Sequence, residues 1–570
     1  MKSTYKEIRN TKGNIERIET TCFGHDLLIE CQLNKGTAFN KEERNQLGLE
    51  GLLPEQIETL NEQVDRVYIQ YQQKNSPLQK NIFLNVLHDL NETLFFRLIS
   101  DHLEEMMPII YTPTMGEAVE TYSSQLRRPR GLFISYKDKD RIEEILHNYF
   151  TDDIKIMVVT DGEGVLGIGD QGVGGIDISI GKLAIYTLCA ELDPFSTLPI
   201  QLDVGTNNQK LLNDPMYLGW RHERISGKKY DEFIKLFTDA VKKIFPDIFL
   251  HWEDFGRDNA RKNLDLYHDE ICSFNDDIQG TGAVALAAVL AGIKASGTPF
   301  KDQKVVIFGA GTAGVGIVDN IYDAMCRDGI SPEDAAKKFY LIDREGLLID
   351  DMINLMSFQK KYTRTRQDIS SWNVKNSNNI QLSEVVANVG PTILIGCSTV
   401  AGAFTSEIIK DMARQTERPF ILPLSNPTSK VEAHPSNIME WTKGKALIAT
   451  GSPFGNIDYN NESIRIAQCN NALIFPGLGL GIIASKAKIV TDNMIWIASK
   501  TLSEYPITES NYTPLLPNFD HVLDISYKIA TKVAKQAIKD GVAGIDKNDN
   551  LGYLIKLHSW QPEYVPIVKG

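Results

Sequence analysis

Cysteine is scarce in this sequence, and the few cysteines are not spaced as pairs. The 570 residues include seven, namely Cys22, Cys31, Cys189, Cys272, Cys326, Cys397 and Cys469. Their number is odd, they are scattered, and no two form a Cys-x-x-Cys motif. Such a set argues against a disulfide framework and against a zinc site, both of which need grouped cysteines. We therefore expect reduced, buried thiols in a cytoplasmic protein.

The sequence also lacks a long apolar run and an excess of positive charge. Its most apolar stretch, AVALAAVLAGI, has about 11 residues, whereas roughly 20 are needed to span a bilayer. The opening segment, MKSTYKEIRNTKGNIERIET, has no apolar core of the kind found in signal peptides. Lysine and arginine number 60 against 74 aspartates and glutamates, which gives a net charge of −14 without any long basic run. We expect neither a membrane nor a nucleic acid as a partner.

Hydrophobic periodicity divides the chain into a helical front and a longer α/β part. Between residues 40 and 101, apolar residues recur at spacings of three and four, which predicts helices. From residue 154 onward, β-branched runs such as IKIMVVT, LPIQLDV, KVVIFGA and PTILIGC alternate with helical patterns, which predicts an α/β fold with parallel sheets. Residues 1–20 are polar and predict a loose arm, and the tail HSWQPEYVPIVKG predicts a strap onto another surface.

A dinucleotide-binding fingerprint follows one of these strands. KVVIFGAGTAGVGIVDNIYDAM has the pattern of a strand, then Gly309-x-Gly311-x-x-Gly314, then a helix. Gly309 permits the tight turn, Gly311 lets the backbone approach a pyrophosphate, and Gly314 lets the helix pack on the strand. The next strand, KFYLID, ends in Asp343, which suits a free ribose 2′-hydroxyl and therefore NAD. The adjacent Arg344 keeps NADP as an alternative, and a glycine-rich turn without nucleotide is another.

Two pairs of acidic residues stand at the ends of secondary-structure elements. Glu253 and Asp254 end the buried strand of FLHWEDF, and a second pair, Asp276 and Asp277 in SFNDDIQG, comes just before a helix. Either pair alone is explained by helix capping. Two facing pairs need a cation between them, because like charges repel. Carboxylate oxygens with room for water and substrate suit Mn²⁺ or Mg²⁺, and no histidine or cysteine cluster indicates zinc.

Lys182 and Tyr111 are candidate proton-transfer groups. Lys182 lies in GKLAIYTLCAEL at the start of an apolar helix, where desolvation predicts a lowered pKa and a role as a base. A lysine that extends its charged end to solvent explains the same pattern equally well. Tyr111 follows an apolar run and precedes a proline turn, so its local sequence favours a core residue over a catalytic one.

Together the motifs resemble those of the malic enzyme family. They occur in the family's order over about residues 40–500, and they are IIYTPTMGEA, RRPRGLFIS, VVTDGEGVLGIGDQGVGG, GKLAIYT, LDVGTNN, WEDF, FNDDIQGT, FGAGTAG, LSNPT, TGSPFG and QCNNALIFPGLGLG. The resemblance implies oxidative decarboxylation of L-malate to pyruvate and CO₂, with NAD and either Mn²⁺ or Mg²⁺ as cofactors. It also implies a homodimer or homotetramer.

The resemblance assigns roles to individual residues. Those that match the family's functional positions are Tyr111, Lys182 and Asp276 for catalysis, Glu253, Asp254 and Asp277 for the metal, and Asn426, Asn470 and Asn471 for substrate and nicotinamide. Lys182 would accept the proton of the malate C2 hydroxyl, and Tyr111 would protonate C3 of enolpyruvate. Asp276 would hold the lysine and tune its pKa.

Two positions bear on departures from the family pattern. Many members carry an arginine that grips a malate carboxylate in a DGER segment, where this chain has Gly164. Arg257, in EDFGRDNA, is our hypothesis for the replacement cation. NADP-using animal members carry a lysine where Gln359 stands here, which favours NAD, although Lys360 is adjacent.

Two alternative functions remain at this point. Malolactic enzymes share the scaffold and resemble this chain in LHWEDFG and GGIDISIGKL, so conversion of malate to L-lactate and CO₂ with bound NAD is one alternative. A dinucleotide-binding redox sensor without catalysis is the other, and the intact set of catalytic and metal positions argues against it.

The fold implied by the resemblance combines a Rossmann-type NAD-binding domain, a central α/β catalytic domain and a helical N-terminal domain. The expected bounds are an arm at 1–21, the helical domain at 22–128, the catalytic domain at 129–275 completed by 468–535, the NAD-binding domain at 276–467 and a C-terminal arm at 536–570.

Overall fold

A helical front and two mostly parallel sheets make up the chain, and helices cover both sheets. The computed structural model describes residues 4–149, 153–165, 167–505, 512 and 514–570. The front contains β1 (Tyr5–Arg9), β2 (Ile15–Thr20), α1 (His25–Ile29), α2 (Lys41–Gln46), α3 (Leu60–Gln72), α4 (Pro77–Leu90), α5 (Glu92–Asp101), α6 (Leu103–Ile110) and α7 (Thr114–Glu120). The predicted helices thus form, and their starts follow local capping chemistry: Thr59 and Glu62 form a capping box at α3.

The central part is built on a parallel five-stranded sheet. Its elements are β3 (Leu132–Ser135), α8 (Ile142–His147), β4 (Ile156–Thr160), α9 (Ile176–Ala190), β5 (Thr197–Asp203), α10 (Gln209–Asn213), α11 (Lys228–Ile244), β6 (Phe249–Trp252), α12 (Arg257–Tyr267) and β7 (Ser273–Asn275). The strand order is β3-β5-β4-β6-β7. Val159 of β4 pairs with Trp252 of β6, which pairs with Asn275 of β7. The segments DGEG, ED and DD therefore leave the sheet side by side at its carboxyl edge, where α/β proteins bind ligands.

The nucleotide-binding part follows a π-helical turn at Asp276–Gly280. Its elements are α13 (Thr281–Ser296), β8 (Val305–Phe308), α14 (Thr312–Arg327), α15 (Pro332–Ala336), β9 (Phe339–Asp343), β10 (Gly346–Leu347), α16 (Leu382–Val389), β11 (Ile393–Gly396), α17 (Ser406–Gln415), β12 (Phe420–Pro423), α18 (Pro435–Trp441), β13 (Leu447–Thr450), β14 (Ile457–Tyr459), β15 (Glu462–Ile464) and β16 (Ala467–Gln468). The sheet order is β10-β9-β8-β11-β12-β13-β16. Strand order reverses between β8 and β11, so a crevice opens where the glycine-rich loop follows β8.

The chain then returns to the central part. Its last elements are α19 (Phe475–Ser485), α20 (Asp492–Ser503), α21 (Val522–Lys539), α22 (Leu551–Leu557) and β17 (Ile567–Lys569). Helix α19 packs on both α9 and α21, and α20 packs on α13 and α21. The core around α9 is therefore completed by chain that follows the nucleotide-binding part.

The two ends of the chain meet in one small sheet. Strands β1 and β2 form an antiparallel hairpin, and β17 pairs with β2 in parallel. Residues 5–20 thus form a hairpin and not the loose arm that their polarity predicts, because strand pairing satisfies backbone groups without an apolar sequence. The aromatic tail, which we predicted to pack onto another surface, packs onto the helical front of this same chain. Its buried Trp560 contacts Phe96.

Two helices have the length and apolar composition of membrane spans. They are Gly172–Ala190, which includes α9, and Asp276–Ser296, which includes α13. Within the protein, 94% of the first and 61% of the second apolar window is buried. Their apolar character is therefore accounted for by core packing, and the run of about 11 residues seen in sequence is part of α13.

Candidate active site

A cavity of about 280 Å³ lies where the three parts of the chain and the returning segment meet. It is lined by Tyr111, Thr112, Gly164, Gly167, Lys182, Glu253, Asp254, Asp277, Thr281, Val284, Ala313, Cys397, Thr399, Leu424, Ser425, Asn426, Gly451, Gln468, Cys469, Asn470 and Asn471. Most of the residues that the sequence singles out for catalysis, metal and substrate thus lie around one space.

Three carboxylates form a compact group at the carboxyl edge of the central sheet. Glu253, Asp254 and Asp277 each offer an oxygen, and these oxygens lie within 4.8 Å of one another. The Asp254 N–H donates to Asp277 Oδ2 at 2.8 Å, which ties the two acidic motifs together. Asp254 has a φ of 54°, a left-handed conformation that costs energy for a residue with a side chain and clusters at functional sites.

The electrostatics of this group call for a cation. Burial, followed by the neighbouring acids, raises the pKa of Glu253 and of Asp277 to about 7 each. Buried like charges hold protons more tightly because each ionised form is poorly solvated and repelled by its neighbour. A divalent cation with oxygen ligands would relieve both costs, and three close carboxylates are a donor set that Mn²⁺ or Mg²⁺ accepts. The residues present therefore fit the predicted metal.

Lys182 reaches this group from the second turn of α9. Its Nζ lies 2.5 Å from Asp276 Oδ2 and 3.1 Å from Glu253 Oε1, and its side chain is 2% exposed. Burial opposes the charge, but Asp276 and Glu253 outweigh it and hold the pKa of Lys182 well above its usual range. The lowered pKa that the apolar sequence predicts is therefore wrong, because sequence neighbours do not reveal the two facing acids.

Asp276 and Tyr111 complete the surroundings of the lysine. Asn471 donates from Nδ2 to Asp276 Oδ2 at 2.9 Å and to Thr281 Oγ1 at 3.1 Å, which fixes the aspartate. Lys182 Nζ lies 5.2 Å from the centre of the Tyr111 ring. The Tyr111 ring is 7% exposed, and burial raises the pKa of its hydroxyl. Tyr111 is therefore a buried residue that also faces the lysine.

Asn426 and Asn470 reach the cavity from the side of the nucleotide-binding part. Asn426 follows β12, and its Oδ1 accepts a hydrogen bond from Ser452 at 2.6 Å. Asn470 is buried, and its Oδ1 accepts from the Ala472 N–H at 2.9 Å. Both amide oxygens are thus engaged, which turns the amide N–H₂ ends into the groups available as donors.

Gly164 lies in the cavity wall, whereas Arg257 does not. The Gly164 N–H donates to the Asp254 carbonyl at 2.9 Å, and a Cβ at this position would lie 2.6 Å from the Phe255 carbonyl oxygen. Arg257 starts α12 and points away from the cavity, with its Nη2 3.5 Å from Asp343 Oδ2. The structure therefore does not bring Arg257 to the place where a replacement for the family's arginine is needed. Among the described lining residues, Lys182 is the one cation.

The glycine-rich loop has the geometry that its sequence predicts. Gly309 has a φ of 104°, and a Cβ there would lie 2.5 Å from the Cys397 backbone. A Cβ on Gly311 would meet nothing within 4 Å, which leaves open space beside the backbone at the start of α14. A Cβ on Gly314 would lie 2.1 Å from the Gly309 carbonyl oxygen. The loop thus presents an open helix N-terminus suited to a pyrophosphate.

Asp343 stands at the end of β9, next to this loop. Gln359 donates from Nε2 to Asp343 Oδ2 at 3.1 Å and to the Ala310 carbonyl at 2.8 Å. Arg257 also lies beside the aspartate, with its Nη2 3.5 Å from Oδ2, and the Arg344 N–H donates to Oδ1 at 3.1 Å. The lone pairs that remain are available to ribose hydroxyls.

Sequence reasoning missed His251 and Gln468. His251 interrupts the apolar strand β6, is fully buried and contacts Glu253 at 2.8 Å. Gln468 lines the cavity and donates to the Gly451 carbonyl at 3.0 Å. The sequence did contain a signal for His251. It lies two positions before Glu253, and residues two apart on a strand point to the same face, so a polar side chain there is expected to lie beside the metal-site acid.

Comparisons with known proteins agree with this geometry. The family model described as the malic enzyme N-terminal domain matches residues 88–268, and that described as the malic enzyme NAD binding domain matches residues 278–538. The chain is 51% identical over 533 residues to the NAD-dependent malic enzyme of Photorhabdus laumondii, covering 93% of this chain and 94% of that protein. It is 49% identical over 553 residues to NAD-dependent malic enzyme 3 of Bacillus subtilis, covering 96% and 98%.

Solved structures show the same fold at low sequence identity. A crystal structure of Entamoeba histolytica malic enzyme matches with a TM-score of 0.55 and 23% identity, covering 90% of each chain. A malic enzyme structure from Pyrococcus horikoshii matches with a TM-score of 0.53 and 22% identity, covering 80% of this chain and 88% of that one. The predicted combination of an N-terminal domain with a Rossmann-type domain is confirmed.

Proposed function

The chain belongs to the malic enzyme family, and on this basis we propose that it oxidises and decarboxylates L-malate to pyruvate and CO₂ while reducing NAD. The observation that carries this proposal is one cavity in which a buried lysine, three clustered carboxylates and the open glycine-rich loop come together. Curated relatives that are about half identical over nearly the full chain are named NAD-dependent malic enzymes, which supports the same reaction.

Glu253, Asp254 and Asp277 would hold a divalent cation. When bound, Mn²⁺ or Mg²⁺ acts as a Lewis acid on oxygens of the substrate. The carboxylates would contribute three close oxygens in a buried site, and Glu253 and Asp277, whose pKa values burial raises to about 7, would have to be ionised to hold the cation.

Lys182 is the proposed base for the C2 hydroxyl. Both Asp276 and Glu253 raise its pKa. Once Glu253 shares its charge with a cation, the pull on the lysine weakens, and its pKa falls toward the range in which it can accept a proton. Asp276, fixed by Asn471, keeps Nζ in place while the hydride leaves C2 for the nicotinamide.

Tyr111 is the proposed acid after CO₂ has left. Decarboxylation of the β-keto acid leaves an enolate, and C3 must receive a proton to give pyruvate. Tyr111 lies beside Lys182, so its phenol can donate to C3 and then be reprotonated from the ammonium that formed in the first step. The ammonium, which Asp276 and Glu253 stabilise against the cost of burial, is thus a proton source at the right stage.

The substrate carboxylates would be bound without a second cation in the wall. The amide groups of Asn426 and Asn470 would donate to the substrate carboxylates. Lys182 must be neutral to act as the base, so its charge is not counted among the groups that bind these carboxylates. In this proposal, these groups do the work of the arginine that many family members carry at the position of Gly164. They also take over the role that we predicted for Arg257.

The coenzyme would lie along the crevice beside β8. Its pyrophosphate would meet the open backbone at Gly311, and its adenosine ribose would meet Asp343. The carboxylate of Asp343, with uncharged Gln359 beside it and Arg257 Nη2 3.5 Å from Oδ2, supports NAD over NADP because it would repel a 2′-phosphate.

We also propose that the protein acts in the cytoplasm as a homodimer or homotetramer. All seven cysteines are free thiols, which suits a reducing compartment.

Large apolar side chains are exposed on the helical front, among them Ile69 on α3 at 57% and Leu90 on α4 at 59%. Exposed apolar residues on neighbouring helices support an assembly, and light scattering after gel filtration measures its size.

One assay tests the proposed function. Purified protein is incubated with L-malate, Mn²⁺ and either NAD or NADP, and reduced coenzyme, pyruvate and lactate are all quantified. We expect equal amounts of NADH and pyruvate, with little reaction when NADP replaces NAD. Lactate formed without free NADH would instead identify a malolactic reaction, and absence of any turnover with both cofactors bound would identify a sensor.

A further inference from the structure

His251 is a polar residue at the centre of a buried apolar strand. It lies on β6, whose four residues are all buried, and its ring is 0% exposed. Two residues later the same strand delivers Glu253 to the candidate metal site. Because side chains alternate along a strand, His251 and Glu253 point to the same face of the sheet.

Both ring nitrogens of His251 have partners. Nε2 lies 2.8 Å from Glu253 Oε2, and Nδ1 lies 2.9 Å from the Tyr186 hydroxyl. An ionised carboxylate only accepts, so Nε2 carries the hydrogen and donates it to Glu253. Nδ1 is then the acceptor, and the Tyr186 hydroxyl donates to it. Tyr186, His251 and Glu253 thus form a directed chain of hydrogen bonds.

The surrounding core fixes this chain in place. Phe274 and Phe475 meet the His251 ring edge-on, with centroid distances of 5.7 and 5.6 Å. Tyr186 fits beside α19 because position 479 is a glycine: a Cβ on Gly479 would lie 2.5 Å from Tyr186 Cε1. Tyr186 is also one helical turn after Lys182 on α9, so one helix face carries both the lysine and the start of the chain.

We propose that His251 is a positioning residue for the metal ligand Glu253 and that Tyr186 acts through it. The hydrogen bond to Oε2 sets the plane of the Glu253 carboxylate, whose Oε1 lies 3.1 Å from Lys182 Nζ. A carboxylate held at one oxygen binds a cation at lower entropic cost than one that is free to rotate. The inference rests on the proposed function, since it concerns the cation of that site.

His251, Glu253 and Asp276 also offer ligand atoms within 4.8 Å of one another. The ammonium of Lys182 lies among them, 2.5 Å from Asp276 Oδ2, so a cation already sits there. We therefore place His251 behind the metal ligand and not on the metal.

The experiment measures Mn²⁺ binding directly, in the absence of malate and NAD, by electron paramagnetic resonance titration. We expect His251→Phe, which fills the same space without a donor, to weaken Mn²⁺ binding by about 10- to 100-fold. His251→Gln, which keeps an N–H donor and an oxygen, should recover most of the affinity. Tyr186→Phe should weaken binding several-fold, and adding it to His251→Phe should cause no further loss, because Tyr186 acts through the histidine. His268→Gln, at a largely exposed ring, is the matched control and should bind as the parent does.

NAD binding and the pulsed resonance spectrum separate this role from the alternatives. NAD affinity should stay the same in all variants, and the spectrum of bound Mn²⁺ should show no directly bonded nitrogen. Unchanged Mn²⁺ affinity in both His251→Phe and Tyr186→Phe would overturn the proposal, as would a nitrogen ligand or an equal loss of NAD binding. If His251→Phe does not fold, the Mn²⁺ affinity, the NAD affinity and the Mn²⁺ spectrum of Tyr186→Phe test the proposal by the same criteria. Failure of the proposed function shows up differently, as a parent protein that binds Mn²⁺ without oxidising malate.

Discussion

Lys182 and Asp276 form an ion pair inside the protein, with Nζ 2.5 Å from Oδ2 and side chains 2% and 0% exposed. A buried pair of this kind stabilises little by itself, because removing both charges from water costs about as much as their attraction returns. Its presence beside three further acids is better explained by chemistry than by stability.

Removing the lysine should abolish proton transfer while leaving coenzyme binding intact. We expect Lys182→Ala to lower kcat by roughly 10²- to 10⁴-fold, the usual range for loss of a general base. Steady-state kinetics measure this, and added primary amines should restore part of the rate by entering the space left behind. Lys235→Ala, at an exposed lysine on α11, is the control. A variant at position 182 with near-normal kcat would exclude Lys182 as the base.

A side chain at position 164 should damage the metal site. A Cβ there would lie 2.6 Å from the Phe255 carbonyl oxygen, so Gly164→Ala must shift the segment that carries Glu253 and Asp254. We expect a loss of about 1–3 kcal/mol in unfolding free energy and weaker Mn²⁺ binding. Urea unfolding and metal titration test both effects. Gly455→Ala, where a Cβ meets nothing within 4 Å and the backbone is not left-handed, separates crowding from the loss of a glycine. Normal Mn²⁺ affinity in Gly164→Ala would show that the segment tolerates the shift.

Asp343 should determine the choice of coenzyme. Replacing it with alanine removes hydrogen bonds to the ribose and the charge that repels a 2′-phosphate. We expect Asp343→Ala to raise the KM for NAD by about tenfold or more, since hydrogen bonds to charged groups contribute roughly 1.5–3 kcal/mol, and to lower that for NADP. The two constants are compared with those of Asp351→Ala, an exposed aspartate of the same part of the chain. Equal KM values for NAD before and after the change would exclude Asp343 from ribose recognition.

His88 should make the protein lose stability in mild acid. Burial, followed by the charge of Arg130, lowers the pKa of His88 to about 4 from its ordinary 6.5. The unfolded chain therefore binds a proton below about pH 6.5 that the folded protein refuses until about pH 4, so stability falls as the pH falls through this window. The contribution is at most about 3 kcal/mol.

We expect His88→Gln to reduce the difference between the thermal unfolding midpoints at pH 7 and pH 5. The variant also loses a contact to Glu92, so its midpoint at pH 7 will be lower, and the pH dependence is the informative quantity. His268→Gln should leave that difference unchanged. The same difference in His88→Gln as in the parent would show that other groups dominate acid unfolding.

The placement of the acids and of Lys182 was predictable because the motifs follow strands that end at one edge. Glu253 follows β6 and Asp276 follows β7, and these strands are neighbours in a parallel sheet. Sequence order therefore converts into proximity through a general rule of α/β folds. The state of the lysine was not predictable in this way, because its pKa depends on side chains that are distant in sequence.

The position of Arg257 was not predictable for a similar reason. Arg257 stands three residues after Asp254, yet it begins α12, and the helix directs its side chain toward Asp343 and not toward the cavity.

The role of α19 was also predictable only in part. The family resemblance implies that the chain returns after about residue 468, but the contact of Gly479 with Tyr186 is a matter of packing that no sequence pattern records.

The sheet that joins the two ends of the chain protects a strand edge. In the hairpin of residues 5–20, β2 pairs with β1 on one side, and its other side is paired by Ile567–Lys569 from far along the chain. Glu43 also binds this last strand, since it accepts a hydrogen bond from the Ile567 N–H. A chain without Ile567–Lys569 thus carries an open strand edge that favours association with other chains. Strand β17 therefore prevents the hairpin from pairing with a second molecule at this edge.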